Sequence, residues 1–336
     1  MTQPEPGPVY APEFEGGEWI QGGPVPIRGS GRPVLVDFWD YTCLNCLRTL
    51  PYVTEWHRRY AEHGLVIVGV HTPEFSFARN PEHVRRAVAA QAIDYPVVLD
   101  AEYKIWQAYA NRYWPAKYFV GADGKIKARH FGEGGYAQSE ELLQRLIAEQ
   151  PGFADPLPEV MEPVRPEDGT GAVCYRVTPE LYCGYARGLV GNVGAITPDR
   201  PMRFADPGKH VEGMLYLEGD WLLSAESVAR PFGAQTASRM HLDFMAADAN
   251  LVLHPPITSG PGRLRVLLDG APPGALAGED VDADGRVAVD VPRMYRLIRS
   301  DEVERRSLTL ETGSDGLAAF AFTFTSCVMP PPAGEG

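Results

Sequence analysis

Apolar positions follow two rhythms along this chain, and the change between them falls in a proline-rich stretch near its middle. Val34-Leu35-Val36-Asp37-Phe38-Trp39 is a short β-branched and aromatic run, which predicts a buried strand. Leu65-Val66-Ile67-Val68-Gly69-Val70 is apolar without interruption, the mark of a central parallel strand covered on both faces. Between them, residues 43 to about 62 predict a helix interrupted or kinked at Pro51. Asn80-Pro81 opens a second helix that runs through Val84 and Val88 to about Ile93, since proline suits a first helical position. Residues 97–99 predict a strand and residues 103–109 a helical piece. Strands at 116–121 and 125–131 form a hairpin about Ala122-Asp123-Gly124, where Gly124 takes positive φ. Ser139 caps a last helix with Glu140 and Glu141 in its first turn and Leu142, Leu143, Leu146 and Ile147 on its apolar face. Such alternation predicts an α/β layer structure with a mixed sheet.

Pro151, Pro156, Pro158, Pro163 and Pro166 then prevent regular structure and predict an extended, semi-rigid linker. From about residue 172 long helical patterns vanish. Short alternating segments recur at 214–217, 240–244, 250–253, 264–268, 286–289, 307–310 and 319–324, separated by turn residues. That spacing predicts an antiparallel β-sandwich of jelly-roll kind. The expected organisation is an irregular lead-in over 1–30, an α/β domain over 31–150, a linker over 151–170, a β-sandwich over 171–329 and a tail over 330–336.

Composition narrows the function. Formal charge is −13 and the basic residues form no run, which argues against a nucleic-acid or anionic-membrane surface. No stretch approaches the roughly 20 apolar residues that span a bilayer. Met1-Thr2-Gln3-Pro4-Glu5-Pro6-Gly7-Pro8 has neither a basic start nor an apolar run, so the expectation from the sequence as written is a cytoplasmic protein. Five cysteines, an odd number in a large chain, argue against a disulfide-stapled secreted scaffold. Cys174 and Cys183 are expected as single buried thiols, with pairing to each other as the alternative in an exported chain.

Cys43-Leu44-Asn45-Cys46 follows the strand that ends at Trp39 and opens a helix. A zinc site would need a second closely spaced ligand pair, which the chain lacks. The two-residue spacer brings both sulfurs to the first helical turn. Unpaired N–H groups and the positive end of the helix dipole there are expected to stabilise a thiolate and lower its pKa. Cys43 is then the exposed nucleophile and Cys46 the resolving thiol of a dithiol–disulfide exchange. The pair is itself the redox centre, so neither metal nor organic cofactor is called for.

Asp37 six residues before Cys43, Pro51 five after Cys46, and Trp114-Pro115 before a strand together resemble the thioredoxin family. That resemblance implies a buried proton acceptor at Asp37 serving the resolving thiol. It also implies a cis Pro115 that faces the cysteines and orients a substrate strand. The match is closer to the DipZ-like branch of the TlpA group. It rests on residues 39–52, which read Trp39-Asp40-Tyr41-Thr42-Cys43-Leu44-Asn45-Cys46 and onward to Pro51-Tyr52, on Gly69-Val70-His71-Thr72-Pro73-Glu74-Phe75, on Asn111-Arg112-Tyr113-Trp114-Pro115-Ala116 and on His130-Phe131-Gly132-Glu133-Gly134. Thr178-Pro179-Glu180-Leu181-Tyr182 and Asp280-Val281-Asp282-Ala283-Asp284-Gly285 resemble the tail of the same branch. The resemblance implies a carbohydrate-binding-module-like sandwich with a glycan as its ligand, and protein thiols or disulfides as substrates. It further implies a CcdA-like membrane protein as electron partner and an extracytoplasmic location. Trp39, Tyr41, Glu74 and Trp114 are the candidates for substrate positioning.

Weaker signals remain. Asp280, Asp282, Asp284 and Gly285 copy the start of a calcium loop, but Val291 stands where the bidentate acid belongs, so a solvated acidic turn is expected. Trp221, Tyr175, Tyr182 and Tyr185 are sugar-stacking candidates by residue type, and core packing is the favoured reading. His71 and Glu74 are read as polar loop residues near the site. A thiol peroxidase, with Arg48 steadying the thiolate, is the alternative enzyme. It lacks the Pro-x-x-x-Thr-x-x-Cys segment, because Asp40 occupies the threonine place. A binding module that merely carries a redox domain is the non-catalytic alternative.

Overall fold

The uninterrupted apolar runs form the centre of a six-stranded sheet. The computed structural model describes residues 9–257 and 260–329, so the expected tail and the first eight residues of the lead-in lie outside the described residues. The chain divides into two compact units, Met1–Asp168 and Gly169–Gly336.

In the first unit the elements run β1 (Glu18–Gln21), β2 (Val34–Trp39), α1 (Leu44–Tyr60), β3 (Val66–His71) and α2 (Pro81–Ala90). They continue with β4 (Val97–Leu99), α3 (Lys104–Ala108), β5 (Ala116–Val120), β6 (Ile126–Phe131) and α4 (Tyr136–Ala148). Strand order is β1-β4-β3-β2-β5-β6. β2, β3 and β4 are parallel, while β1, β5 and β6 join antiparallel. α1 runs unbroken through Pro51. Apolar side chains on the two faces of the sheet pack into separate clusters, one of which contains Cys43, Cys46, Trp39 and Trp56.

Three sequence expectations are corrected here. The lead-in is not irregular throughout: β1 forms the sheet edge beside β4, and Ala11, Phe14 and Ile27 are buried. One four-residue strand is too short to show a period. Helix α4 is capped by Gly135 and not by Ser139, which is buried within its first turns. Gly135 has φ +58, and a Cβ there would lie 2.8 Å from the His130 ring.

The proline-rich segment belongs to the first unit as far as Asp168 and is fastened to it. Glu140, fully buried in α4, accepts hydrogen bonds from Arg59, from the Tyr60 hydroxyl at 2.5 Å and from the Met161 backbone N–H at 3.0 Å. Gln144 donates to the Pro158 carbonyl at 2.8 Å, and the Tyr52 hydroxyl donates to Asp168 at 2.7 Å. Phe153, Leu157 and Met161 add apolar contacts to the core. Prolines supply no helix or strand signal, and the anchors are side chains distant in sequence, so a docked strap and a free linker look alike in the sequence. Removing Glu140 takes a buried acceptor from Arg59, the Tyr60 hydroxyl and the Met161 N–H, so Glu140→Ala is expected to cost about 2 kcal/mol in urea unfolding. An unchanged midpoint would show that the strap is not held this way.

The second unit is β throughout. Its strands are β7 (Val173–Cys174), β8 (Leu181–Tyr182), β9 (Pro201–Phe204), β10 (Tyr216–Leu223), β11 (Val228–Ala229), β12 (Ser238–Ala246) and β13 (Ala249–His254). They continue as β14 (Gly262–Leu268), β15 (Arg286–Val289), β16 (Arg293–Ile298), β17 (Glu304–Thr312), β18 (Ala318–Phe324) and β19 (Cys327–Val328). Eleven of them form one curled sheet along the path β15-β14-β17-β12-β10-β11-β18-β13-β16, with β9 beside β10 and β8 beside β18. Leu242, Val266 and Leu310 from one half share a core with Leu251, Tyr295 and Phe322 from the other, so the sheet closes on itself like a sandwich.

β7 and β19 form a separate pair carrying a disulfide between Cys174 and Cys327, whose Cα atoms are 4.0 Å apart. Cys183 is a free, buried thiol. The expected buried thiol at Cys174 is therefore corrected, and its partner is not Cys183. The pairing closes a separation of 153 residues, which no local spacing reveals.

Candidate active site

Strand β2 delivers the chain to the C-terminal end of the parallel strands, where Trp39 is followed by a tight turn into α1. Cys43 is the N-cap of α1, and its Sγ accepts the Cys46 backbone N–H at 3.2 Å. Both cysteines are free thiols. Cys43 retains 9% of its surface and Cys46 1%. The nucleophile is thus nearly covered, contrary to the exposure expected. Its pKa moves opposite to the expected direction as well. Burial pushes the Cys43 thiol up, the Cys46 hydrogen bond opposes this, and the nearby Glu74 and Asp40 carboxylates push it further up. Cys46 is raised well above the ordinary thiol value, first by burial and then by its bond and proximity to Cys43. The helix-end advantage is real but smaller than desolvation among carboxylates.

A buried carboxyl and a buried lysine lie within electrostatic reach of each other, and the lysine also within reach of Cys46. Asp37 in β2 and Lys117 in β5 are register partners across the antiparallel pair, and both are buried. Burial pushes Asp37 up to about 7, with Lys117 opposing. Neither Asp37 carboxyl oxygen has a hydrogen-bond partner among the described residues. Burial pulls Lys117 down, and the charges it senses are those of Asp37, Cys46 and Glu133. Lys117 therefore interacts electrostatically with both the carboxyl and the resolving thiol. The sequence reading missed this lysine, although a lone cation in Ala116-Lys117-Tyr118-Phe119-Val120, two residues after Pro115, is visible in it.

A second buried carboxyl stands in the turn before Cys43. Asp40 accepts the Thr42 backbone N–H at 2.6 Å, the Thr42 hydroxyl, and the Glu74 backbone N–H at 2.9 Å. Burial raises its pKa and those bonds oppose the rise. His71 Nε2 stands 3.5 Å from Asp40, a separation too long for a well-formed hydrogen bond. The imidazole is wholly buried, stacked on Tyr41 with ring centroids 5.3 Å apart and edge-on to Trp39 at 5.1 Å. Burial pushes His71 down to about 3, so it is neutral at physiological pH. His71 is a core residue of the site, not the polar loop residue expected.

Trp39 is buried and packs over Gly69, where a Cβ would come 3.0 Å from the indole nitrogen. A side chain at that place in β3 would crowd the indole. Tyr41 is buried, and Glu74 is half-buried with its backbone tied to Asp40. The Trp114–Pro115 peptide is cis. Because Ala116 pairs with Phe38, Pro115 falls at the same end of the sheet as Trp39. Trp114 donates its indole N–H to the Thr72 carbonyl at 3.0 Å and packs against the cluster holding both cysteines. Arg48 reaches Glu133 at 3.5 Å.

In the second unit the weaker candidates scatter. Asp280 is engaged by Arg293 and the Arg296 backbone, Asp282 by the backbone N–H groups of Asp284 and Arg286, and Asp284 by Arg286. The three acids serve arginines and a turn. Trp221 is buried in the core with its indole N–H on backbone carbonyls. Tyr182 lies under Arg187, Tyr185 bonds Asp199, and Tyr175 is exposed. No shared aromatic face joins these four.

A helix-capping Cys-x-x-Cys after a strand holding a buried acid, with a cis-proline at the same sheet end, defines a thioredoxin-like dithiol centre, and its chemistry is thiol–disulfide exchange. Residues 11–129 match the AhpC/TSA family model, and residues 178–325 match that of the thioredoxin like C-terminal domain. The DipZ proteins of Mycobacterium bovis and Mycobacterium tuberculosis are each 31% identical over 303 residues, covering 90% of this chain and 40% of theirs. Over 90% of its length the chain is thus similar to the DipZ proteins, and its two parts match two thioredoxin-related family models. It spans about 40% of the length of those relatives. The thiol-disulfide oxidoreductase YkuV of Bacillus subtilis is 28% identical over 140 residues, 41% of this chain and 94% of that one. Among solved structures, a thiol-disulfide isomerase from Corynebacterium glutamicum matches at 22% identity and a TM-score of 0.37, over 41% of this chain and 97% of its own.

Proposed function

We propose that this chain reduces disulfides in protein substrates, with Cys43 attacking and Cys46 resolving. The observation that carries the reading is the buried Asp37–Lys117 couple within electrostatic reach of a helix-capping dithiol whose thiols are both raised in pKa. Cys43 thiolate attacks a substrate disulfide, one substrate sulfur leaves as a thiol, and Cys46 then displaces the other. Asp37 accepts the Cys46 proton as that thiol becomes nucleophilic. Two electrons pass to the substrate and the pair ends as a disulfide. Pro115 and Trp114 would flank the path of the substrate strand, and Trp39 and Tyr41 pack in the core cluster that holds Cys43.

Direction follows from the thiols. A nucleophile with a depressed pKa stabilises the reduced form and makes an oxidant. Burial among carboxylates does the reverse here, which favours the disulfide and makes the dithiol a reductant. Equilibration with glutathione, with Cys43→Ser as the control, is expected to give a reduction potential near or below about −250 mV. A value above about −180 mV would mark a disulfide donor and sink the reductant reading.

The compartment we propose is extracytoplasmic, in place of the cytoplasm suggested by the N-terminal residues. The Cys174–Cys327 disulfide supports it, because such bonds persist where glutathione does not reduce them. Among the described residues no helix is long and apolar enough to cross a membrane. Electrons would then come from across the membrane, and the resemblance to DipZ makes a CcdA-like protein the donor we propose. Alkylation of protein taken from cells should leave Cys174 and Cys327 unlabelled; labelling of both would place the chain in a reducing compartment. Trp221, buried in the core, is not a sugar-stacking surface, whereas Tyr175 and Tyr185 are exposed. A peroxidase reading finds Arg48 turned to Glu133.

A further inference from the structure

We propose that the β-rich unit binds one divalent transition-metal ion, of which zinc is the natural probe, through Asp206, His210 and His241. Asp206 and His210 lie in the segment between β9 and β10, and His241 lies in β12. One donor atom from each of the three falls within 4.8 Å of the others. His210 Nε2 is 2.8 Å from Asp206 Oδ1, and the two imidazole rings lie nearly parallel with centroids 5.3 Å apart.

The cluster is held in place by its neighbours. Asp206 is turned by the Gly208 backbone N–H at 3.0 Å. The His210 ring packs on Tyr216, centroids 4.7 Å apart, and Tyr216 is the cross-strand partner of His241. The Tyr216 hydroxyl accepts the Val211 backbone N–H at 3.0 Å, which fastens the segment carrying His210 to β10. Nδ1 of the buried His241 is 3.1 Å from the Thr309 hydroxyl in β17. A hydroxyl accepting from Nδ1–H leaves a lone pair on Nε2, the usual outer support of a metal-bound imidazole. That Nε2 faces Glu218 Oε2 at 3.2 Å. In the metal-free protein an Nε2–H donating to Glu218 makes this an ordinary hydrogen bond, and the Nδ1–H tautomer, with Thr309 as acceptor, frees Nε2 for an ion.

The donor set fits the chemistry. Imidazole nitrogen and carboxylate oxygen are ligands of zinc, at about 2.0–2.2 Å from the metal. Ligand atoms around such an ion stand roughly 3.3 Å apart by tetrahedral geometry, so modest side-chain shifts close the cluster. Three protein ligands leave a fourth position for water or for Glu218, which meanwhile pairs with Arg239.

The test is zinc titration of the full chain by calorimetry in a Cys43→Ser/Cys46→Ser background, which removes the dithiol as a competing site. One equivalent is expected to bind. His210→Ala, in an exposed connecting segment, is expected to weaken binding at least tenfold, and His241→Ala to do the same. Cobalt substituted for zinc should give visible bands without sulfur charge transfer. A rise in melting temperature with zinc, lost in His210→Ala while its circular dichroism is unchanged, would support the site independently of calorimetry. No binding in the double-serine background, or equal binding by His210→Ala, overturns the proposal and leaves two histidine–carboxylate pairs.

Discussion

Cys43→Ser is expected to lower the rate of thiol–disulfide exchange by about a thousandfold or more, because it removes the atom that attacks. Cys46→Ser is expected to behave differently. Attack by Cys43 still occurs, but no second thiol displaces the substrate, so a mixed disulfide accumulates and survives on a non-reducing gel. The asymmetry follows from geometry: Cys43 caps α1 and keeps 9% of its surface, while Cys46 lies one turn deeper with 1%. If the two variants trapped substrate equally, the roles assigned to the cysteines would be interchangeable and this account would fail. The raised Cys43 thiol adds a second expectation. Exchange by the wild type should keep accelerating as pH rises past 8, as the thiolate fraction is still growing there. A rate that levels off below neutral pH would mean that Cys43 is already ionised.

Much of this site is legible in the sequence because its parts lie on local patterns. The strand ending at Trp39, the two-residue spacer and the helix beyond place both sulfurs without any tertiary information. Asp37 stands out as an acid within an otherwise apolar strand. What the sequence hides is the sign of the electrostatics. The dipole argument is local and favours a thiolate, whereas the opposing effects come in part from Glu74 and Trp114, which are distant in sequence. His71 shows the same limit, since as the last residue of β3 it reads as a loop polar group. Its burial between Tyr41 and Trp39 needs the fold. The strap over 151–168 and the Cys174–Cys327 bond are also long-range, and neither leaves a periodic mark. In the second unit, alternation reveals β10, β12, β13, β14, β15, β17 and β18. The two-residue β11 is too short for it, β9 opens on a proline, and β16 interrupts its apolar residues with arginines.

Asp37→Asn is expected to slow exchange by roughly a hundredfold near neutral pH, the usual worth of a positioned general base. The pH profile is the sharper readout. Wild-type exchange should carry an inflection near pH 7, where Asp37 titrates, and the asparagine variant should lose it while keeping the thiol limb. Lys117→Met should instead move that inflection upward, because the lysine charge is what holds Asp37 down to about 7. Stability changes in a matched way. The carboxyl's folded pKa lies above the unfolded 3.8, so it costs nothing below pH 4, costs progressively more between 4 and 7, and costs a constant amount above that. Asp37→Asn should therefore gain about 2–3 kcal/mol more stability over wild type at pH 8 than at pH 5, by linkage at 1.36 kcal/mol per pKa unit. Denaturant unfolding at the two pH values measures that difference. A gain that is the same at both, together with an unchanged inflection, would show that Asp37 is ionised in its buried position, and that some other group takes the Cys46 proton.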